Sequence, residues 1–417
     1  MEPRCRFCST PLEHSFVDLG SAPPCQRHLA PADLDRPELF HPLHARVCQR
    51  CFLVQLPEVL SPAELFGAGD YAYFSSYSDS WVAHARRYAD AAAPRLGLGA
   101  HSLVVEVASN DGYLLQHFAA RGIPVLGVEP ASKCAAAARA RGIRSLEAFF
   151  GEALARRILA EHGAPDLVVA NNVLAHVPDL HDFVRGLSLL LASGGVATLE
   201  FPHLLRLVEG NQFDTIYHEH YSYFGFTTAL EIFRHHDLAI FDVEELPTHG
   251  GSLRIWARRK ERDRPGVAAS VAGLVLRERA AGMRELAWYR GFEARVVETK
   301  RALLAFLIEA GRAGRRIAGY GAPGKGNTLL NYCGIRSDFV EYTVDRSPHK
   351  QGNHLPGSRI PIFAPERIFE TRPDYVLILP WNLEAEIREQ MAGIGAWGGR
   401  FVIPIPEVRV LAAEAAR

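Results

Sequence analysis

Residues 102–115 read SLVVEVASNDGYLL, an apolar strand signal that runs directly into a polar turn and then into a helix. The strand pattern covers Ser102 to Val107, and Leu114 opens the helical pattern. Similar strand signals follow at 125–130 (VLGVEP), weakly in a third strand that ends near 148–150, and in a fourth and a fifth strand at 166–172 (DLVVANN) and 195–200 (GVATLE). Because strands that alternate with helices fold into a parallel sheet, this region predicts a doubly wound α/β domain. Its ligand is expected at the carboxyl ends of the strands.

The turn after the first strand indicates the kind of ligand. A nicotinamide-binding loop would read G-x-G-x-x-G, whereas residues 108–112 contain a single glycine, Gly112. Such a loop suits a cofactor without a pyrophosphate, and Glu129 at the end of the second strand can accept hydrogen bonds from both ribose hydroxyls. We therefore predict a class I, Rossmann-like domain for S-adenosylmethionine, with a Rossmann-like domain for another ligand as the alternative. The expected cofactor-binding residues are Glu106, Ala108, Asn110, Asp111, Gly112, Glu129, Phe149 and Asn171.

Four of the seven cysteines form two C-x-x-C pairs, Cys5 with Cys8 and Cys48 with Cys51. Each pair brings two thiolates to one side of a turn, and two such knuckles complete a tetrahedral shell. Zinc takes four-sulfur sites of this kind, and a closed shell leaves no position for catalysis. The pattern predicts a structural zinc site; reduced, redox-active or incidental knuckles are the alternative.

The segment 213–224, FDTIYHEHYSYF, concentrates ionisable side chains after the fifth predicted strand. His218-Glu219 begins like a zinc-protease H-E-x-x-H, but Ser222 occupies the place of the second histidine, which excludes that motif. A histidine is the commonest general base, and a neighbouring carboxylate can orient it. Tyrosine hydroxyls can donate hydrogen bonds to an enolate oxygen. The segment predicts a catalytic cluster, and a locally satisfied packing cluster is the alternative.

A second glycine loop lies near the C-terminus, where residues 319–325 read GYGAPGK. These residues match the first seven positions of a P-loop, but Gly326 replaces the Ser or Thr that would bind magnesium, so we do not predict an NTPase. Glycines and Lys325 at a helix N-terminus still favour an anion site, with a purely structural turn as the alternative. His249-Gly250-Gly251 can approach substrate or can simply form a tight turn. The expected substrate-binding residues are His203, His249, Gly321, Lys325, Asn327 and Arg346.

The order of these motifs resembles that of a known family. The two C-x-x-C pairs precede YAYFSSY (71–77), EVASNDG (106–112), GVEPA (127–131) and YHEHYSYF (217–224). This order is similar to that of bacterial nucleotide-sugar C-methyltransferases, in particular three-domain enzymes that methylate C-3 of thymidine-diphosphate 4-keto-deoxysugars in antibiotic biosynthesis. The resemblance extends from Cys5 to about Pro404.

The resemblance implies roles for particular residues. His220 would be the base, with Glu219 and Tyr217 beside it, and His176 and Tyr71 would occupy further active-site positions. Tyr73, in the same aromatic run as Tyr71, could take the place of that tyrosine. The C-terminal domain would help to bind the nucleotide diphosphate. Methylation at C-5, or of another activated acceptor, would use the same chemistry and stays open.

The length of 417 residues predicts several domains. We expect a zinc-binding domain at 1–80, a methyltransferase domain at 81–262, and a helical bridge with a Rossmann-like nucleotide-sugar domain at 263–417. A net charge of −1 with mixed signs gives no indication of a nucleic acid or membrane partner, and no apolar run reaches the ~20 residues that span a bilayer. A cytoplasmic enzyme, monomeric or a small homo-oligomer, is expected.

Two further functions are considered. An inert sugar-nucleotide-binding scaffold would have no need of Asp111, Glu129 and His220 together. An NAD(P)-dependent sugar epimerase or dehydrogenase would require a fuller glycine fingerprint at 108–112 than the chain has.

Overall fold

The computed structural model describes residues 3–66, 74–260 and 266–413, which fold around three β-sheets. The strands are β1 (His14–Ala22), β2 (His41–Val47), β3 (Val54–Gln55), β4 (Val104–Val107), β5 (Val125–Val128), β6 (Ser145–Leu146), β7 (Leu167–Asn171), β8 (Val196–Pro202), β9 (Ser222–Tyr223), β10 (Leu238–Leu246), β11 (Ser252–Arg259), β12 (Ile317–Tyr320), β13 (Thr343–Val344), β14 (Ile362–Phe363), β15 (Tyr375–Ile378), β16 (Arg400–Ile403) and β17 (Arg409–Ala412).

Helices cover the sheets and connect them. They are α1 (Pro62–Phe66), α2 (Asp79–Leu96), α3 (Leu115–Ala119), α4 (Ser132–Ala140), α5 (Glu152–His162), α6 (Leu180–Leu190), α7 (Leu204–Glu209), α8 (Phe226–His235), α9 (Ala269–Ala280), α10 (Leu286–Arg290), α11 (Phe292–Arg312), α12 (Gly324–Cys333), α13 (Glu366–Thr371) and α14 (Glu384–Gln390). Among the described residues, no helix combines the length and the apolar character that crossing a membrane requires.

The central sheet has the order β6-β5-β4-β7-β8-β11-β10, with β11 antiparallel to its two neighbours. All residues of β4 and β7 are buried, as expected for parallel strands covered by helices on both faces. The predicted Rossmann-like fold is confirmed, and the antiparallel hairpin of β10 and β11 completes the sheet. The third strand is shorter than its sequence pattern predicts, because pairing with β5 ends at Leu146.

The N-terminal sheet has the order β1-β2-β3-β9, and its last strand comes from far along the chain. Val54 pairs with Tyr223, and Gln55 pairs with Ser222. The polar segment 213–224 is therefore attached by backbone hydrogen bonds to the zinc-binding part of the molecule. No sequence pattern indicated this pairing, because β3 and β9 are each only two residues long.

The C-terminal sheet, β14-β13-β12-β15-β16-β17, is parallel except for β17. The predicted helical bridge is divided into α9, α10 and α11. Helix α11 packs on the N-terminal sheet, where the rings of Phe292 and Phe16 stack with centroids 4.6 Å apart. One hydrophobic core thus runs from the N-terminal sheet into the C-terminal α/β unit, which brings both of them to the carboxyl edge of the central sheet.

Candidate active site

Glu129 lies at the carboxyl end of β5, where a ribose is expected. Its Oε1 accepts a hydrogen bond from the Ala131 amide at 2.8 Å, and its Oε2 accepts one from the Asn110 amide at 2.9 Å. Burial raises the pKa of this carboxyl to about 7, although the two amide bonds oppose the shift. The carboxylate is therefore held in one orientation by the backbone of the cofactor loop.

The backbone of that loop is folded for close approach by a ligand. Ala108, Asn110 and Gly112 have φ angles of 56°, 49° and 79°, in the left-handed region that non-glycine residues rarely adopt. A Cβ on Gly112 would lie 3.1 Å from Cγ1 of Ile143, so the glycine is required by space as well as by conformation. Strained backbone of this kind concentrates at ligand-binding loops.

The loop is fastened by the end of the aromatic run 71–77. The Asn110 Oδ1 accepts a hydrogen bond from the Ser75 amide at 2.9 Å. Asp111 is fully buried, accepts a hydrogen bond from the Ser76 hydroxyl, and pairs with Arg141 at 3.1 Å. Asp111 thus holds the loop in shape. Tyr71 and Tyr73 lie outside the described residues.

The buried groups at this edge fit S-adenosylmethionine. Within the described residues, both carboxylate oxygens of Glu106 and the Oδ1 of Asn171 are buried without a hydrogen-bond partner. Burial, followed by the charges of Glu129 and Asp111, raises the pKa of Glu106 well above its ordinary value. A cationic ligand would supply a positive charge beside the Glu106 carboxyl group. Phe149 leaves 47% of its surface exposed beyond the end of β6, where it could cover a ring of the cofactor.

His220 has the geometry of a general base. Its Nδ1 lies 2.9 Å from the carbonyl oxygen of Thr215. Because a carbonyl can only accept, Nδ1 carries the proton and Nε2 keeps its lone pair. Burial, followed by the nearby His176, lowers the pKa of His220 well below 6.5, so the imidazole is neutral at physiological pH.

Two further predicted residues lie against the His220 ring. The ring of Tyr217 has its centroid 4.0 Å away, and that of His176 is 4.7 Å away. Burial lowers the pKa of His176 to about 4, and its Nδ1 is buried with no hydrogen-bond partner in the part of the chain that the structure describes. The structure therefore brings together three of the residues that the family resemblance implies.

Glu219 has a different environment from the one expected. Its Oε1 accepts a hydrogen bond from the Cys25 thiol at 3.5 Å, and burial raises its pKa to about 7. The group that orients His220 is the carbonyl of Thr215. Glu219 instead connects the segment to the loop of Cys25, whose carbonyl accepts a hydrogen bond from Asn327 Nδ2 at 2.7 Å.

Lys325 reaches the same pocket from the C-terminal unit. Its Nζ donates to Asn382 Oδ1 at 2.8 Å and lies 4.6 Å from the ring centroid of Trp381. The Trp381 indole in turn donates to Asp214 Oδ2 at 2.7 Å, and burial raises the pKa of Asp214 to about 6. The Lys325 charge is close enough to help lower the pKa of His220.

His249 joins the cofactor edge to this pocket. Its Nε2 lies 3.4 Å from Asn172 Nδ2, and its ring centroid is 5.1 Å from that of Trp81. Its φ of 53° is held by the turn Thr248–Gly250. Burial, then the charge of Lys325, lowers its pKa to about 4. This position supports an approach of His249 to substrate.

A buried network that sequence reasoning missed positions this turn. The fully buried Glu200 accepts hydrogen bonds from Thr248 Oγ1 at 2.7 Å and Arg254 Nη2 at 2.9 Å. Its Oε2 also lies 2.8 Å from His84 Nε2. Burial alone would raise the pKa of Glu200, but the interactions with His84, Arg254 and Thr248 outweigh it, so the pKa of Glu200 is lowered. The sequence signal that could have identified this network was Glu200 itself, an acidic residue in an otherwise largely apolar strand.

His203 is a correction to the sequence analysis. Its side chain has no exposed surface, and its Nε2 lies 2.7 Å from Glu278 Oε1. Glu278 also accepts hydrogen bonds from the amides of Phe226 and Thr227, the first two residues of α8. The pair therefore satisfies a helix N-terminus, where acidic groups are favoured. In this structure the His203 side chain is enclosed by protein, in contrast to the substrate-facing position expected.

The C-terminal glycine loop is corrected as well. Gly321 has a φ of 93° and its amide donates to the Val344 carbonyl, while the Ala322 amide donates to Asp345 Oδ2 at 2.8 Å. The amides of Gly321 and Ala322 are therefore already bonded within the protein. Asn327 is buried and binds the Cys25 carbonyl, as described above. Arg346 lies at a separate open cleft, 3.6 Å from Glu386.

The four paired cysteines converge as predicted. Sγ–Sγ distances are 3.5 Å for Cys5 and Cys51, 3.4 Å for Cys8 and Cys48, and 3.6 Å for Cys8 and Cys51. A tetrahedral zinc ion with Zn–S bonds of ~2.3 Å places its sulfurs about 3.8 Å apart, so these residues fit the metal. With four thiolates in place, no coordination position remains for a substrate.

Comparisons with known proteins agree with this architecture. In chain order, residues 5–66 match a zinc binding domain, 81–243 a methyltransferase domain, and 247–406 a C-methyltransferase C-terminal domain. The C-methyltransferase NovU of Streptomyces niveus is 39% identical over 411 residues, which are 98% of this chain and 97% of that protein.

Two solved structures also align with part of this chain. A Clostridium acetobutylicum S-adenosylmethionine-dependent methyltransferase is 12% identical, with 42% of this chain and 91% of that chain covered and a TM-score of 0.34. The 1,6-didemethyltoxoflavin-N1-methyltransferase of Burkholderia thailandensis is 18% identical, with 50% and 95% covered and a TM-score of 0.36.

Proposed function

Because this chain belongs to the zinc-binding, S-adenosylmethionine-dependent C-methyltransferases, we propose that its acceptor is a nucleotide-activated 4-keto-deoxysugar, methylated at C-3. Thymidine diphosphate is the proposed nucleotide, and secondary-metabolite biosynthesis the proposed setting. Membership of the family makes the chain an enzyme, which removes the inert scaffold and the nicotinamide-dependent enzyme from consideration. The nature of the acceptor rests on the chemistry of the pocket.

The observation that carries the proposal is the hydrogen bond between His220 Nδ1 and the Thr215 carbonyl. A methyl group reaches carbon only if that carbon first becomes nucleophilic, and a ketone achieves this by acidifying the adjacent C–H bond. Neutral His220 offers Nε2 to accept that proton. The electron pair of the C–H bond then passes into an enolate.

The residues around His220 suit an enolate. Lys325 brings a positive charge, and the rings of Tyr217 and His176 lie against the His220 ring, beside the place proposed for the enolate oxygen. When bound, S-adenosylmethionine supplies an electrophilic methyl group, which bonds to the enolate carbon as the sulfur–methyl bond breaks. The proton on His220 afterwards passes to solvent.

A nucleotide diphosphate would also tune the base. The cation of Lys325 helps to lower the pKa of His220, and an anionic substrate beside Lys325 would offset that charge. The pKa of His220 would then rise on binding, and His220 would become a stronger base when substrate is present. An anionic sugar nucleotide is favoured over an uncharged ketone for this reason.

Proton exchange in heavy water, followed by NMR, tests the proposal. A thymidine-diphosphate 4-keto-6-deoxysugar is incubated with enzyme alone, and S-adenosylmethionine is added later. We expect enzyme-dependent loss of the C-3 proton signal, followed by a methyl signal on the same carbon. Exchange and methylation at C-5 instead would show that C-5, not C-3, is the carbon that is methylated. If neither occurs, the 4-keto-deoxysugar is not the acceptor.

A further inference from the structure

Three histidines outside the active site converge behind the first zinc knuckle. His181 lies in the first turn of α6, while His235 and His236 lie at the C-terminal end of α8. One ring nitrogen from each lies within 4.8 Å of the other two. Neither the methyl-transfer chemistry nor the four-cysteine site uses these residues.

The hydrogen bonds of His181 leave one of its ring nitrogens free to bind a metal and facing His236. The Nε2 of His181 lies 2.7 Å from the carbonyl oxygen of Phe7, so it carries the proton and its Nδ1 keeps a lone pair. That Nδ1 is 3.0 Å from the Nε2 of His236. A metal-bound histidine characteristically donates its other N–H to a backbone carbonyl, as His181 does here.

The separations suit a metal ion after a small movement of His235. Zinc with Zn–N bonds of ~2.0–2.1 Å holds tetrahedral nitrogens about 3.3 Å apart. The pair of His181 and His236 is already near that spacing. His235 is exposed and can rotate inward, and its exposure also gives an ion a path from solvent.

The surroundings hold the cluster in place. The ring of Phe7 stacks on His181 and meets His235 edge-on, with centroids 5.7 Å from each. Arg185, the cation one turn along α6, is paired with Glu152 at 3.3 Å.

We infer that His181, His235 and His236 form a second metal site, for a divalent transition ion of the zinc class, with its remaining coordination position open to water. Imidazole ligands suit zinc, copper and nickel, whereas calcium and magnesium prefer oxygen. The ion would join α6 to α8, and through His181 it would reach the backbone of the knuckle between Cys5 and Cys8. It would thereby stabilise the contact between the zinc-binding part and the central sheet.

Zinc titration of the full-length protein tests the inference. The protein is dialysed against a weak chelator under conditions in which one zinc per chain remains, and is then titrated with Zn²⁺ by calorimetry and followed in thermal melts. We expect one further equivalent to bind and to raise the Tm. His235→Ala should bind this equivalent at least tenfold more weakly, since loss of an outer-shell partner alone costs ~10–100-fold. Its Tm should no longer respond to zinc.

His101→Ala is the matched control, because it removes another exposed histidine outside the cluster. It should bind the second zinc like the wild type. Cobalt loading adds a spectroscopic check: the second equivalent should show ligand-field bands without sulfur-to-metal charge transfer. The inference is overturned if the wild type binds no second equivalent, if His235→Ala binds it as tightly, or if the added cobalt shows sulfur ligation.

Discussion

Replacing His220 with asparagine separates its role as a base from its role in packing. The asparagine amide can take the place of Nδ1 and donate to the Thr215 carbonyl, which His220 does at 2.9 Å. Nothing then occupies the position of Nε2. The variant should fold and keep its affinity for S-adenosylmethionine within about twofold, because the cofactor residues lie on β4, β5 and β7.

The rate should fall sharply. A general base contributes ~10²–10⁴-fold, so His220→Asn should cost about 2.7–5.4 kcal/mol of transition-state stabilisation. Single-turnover methyl transfer and C–H exchange should decrease together, since both need proton removal, while calorimetry reports cofactor binding. His218→Asn is the control: its Nε2 lies 3.2 Å from the backbone carbonyls of His41 and Pro42, so it should lower stability and spare the rate. A His220→Asn rate within threefold of wild type would refute the assignment.

Four further outcomes are expected. Because the pKa of His220 lies well below 6.5, the acid limb of the kcat/KM profile should also lie below pH 6.5. Lys325→Met removes a charge that lowers this pKa, so it should move the limb to higher pH. An unmoved limb would show that the lysine charge does not act on His220. Glu278→Ala should cost about 3–5 kcal/mol in urea unfolding, because it strands a buried histidine and two helix amides, whereas a loss under 1 kcal/mol would argue against that cap. Cys8→Ser should lose the zinc that survives dialysis, measured by metal analysis, and should melt at lower temperature; retained zinc would contradict the four-sulfur site. Gly112→Ala should lower the free energy of unfolding by about 1–2 kcal/mol, because the residue has a φ of 79° and a Cβ would lie close to Ile143. It should also bind S-adenosylmethionine more weakly in calorimetry, and unchanged binding would show that the loop adapts.

Local patterns in the sequence were enough to predict much of this molecule. Continuous apolar runs predicted the strands of the central sheet, because buried parallel strands need apolar residues on both faces. The spacing of Cys5, Cys8, Cys48 and Cys51 predicted a convergent four-sulfur cluster, since each knuckle is a local turn. Glu129 could be assigned to the end of β5 by its place directly after four apolar residues.

The roles of long-range partners could not be predicted in this way. His203 and His220 both follow the last parallel strand of the central sheet, yet one is enclosed by Glu278 of α9 and the other is oriented by the carbonyl of Thr215. The P-loop-like glycines suggested an anion site, but Asp345 from the next strand already accepts the Ala322 amide. In each case the partner is chosen by packing between distant elements.

The sequence by itself thus determined the fold class, the cysteine cluster and the position of the cofactor loop, because these depend on residues close together in the chain. Only the tertiary structure decided which side chains share the pocket. Strand β9 pairs with β3, and Lys325 of α12 arrives beside His220, because one hydrophobic core joins the first and last parts of the chain. Burial in that shared interior also lowers the pKa of His220, a property that no local sequence pattern contains.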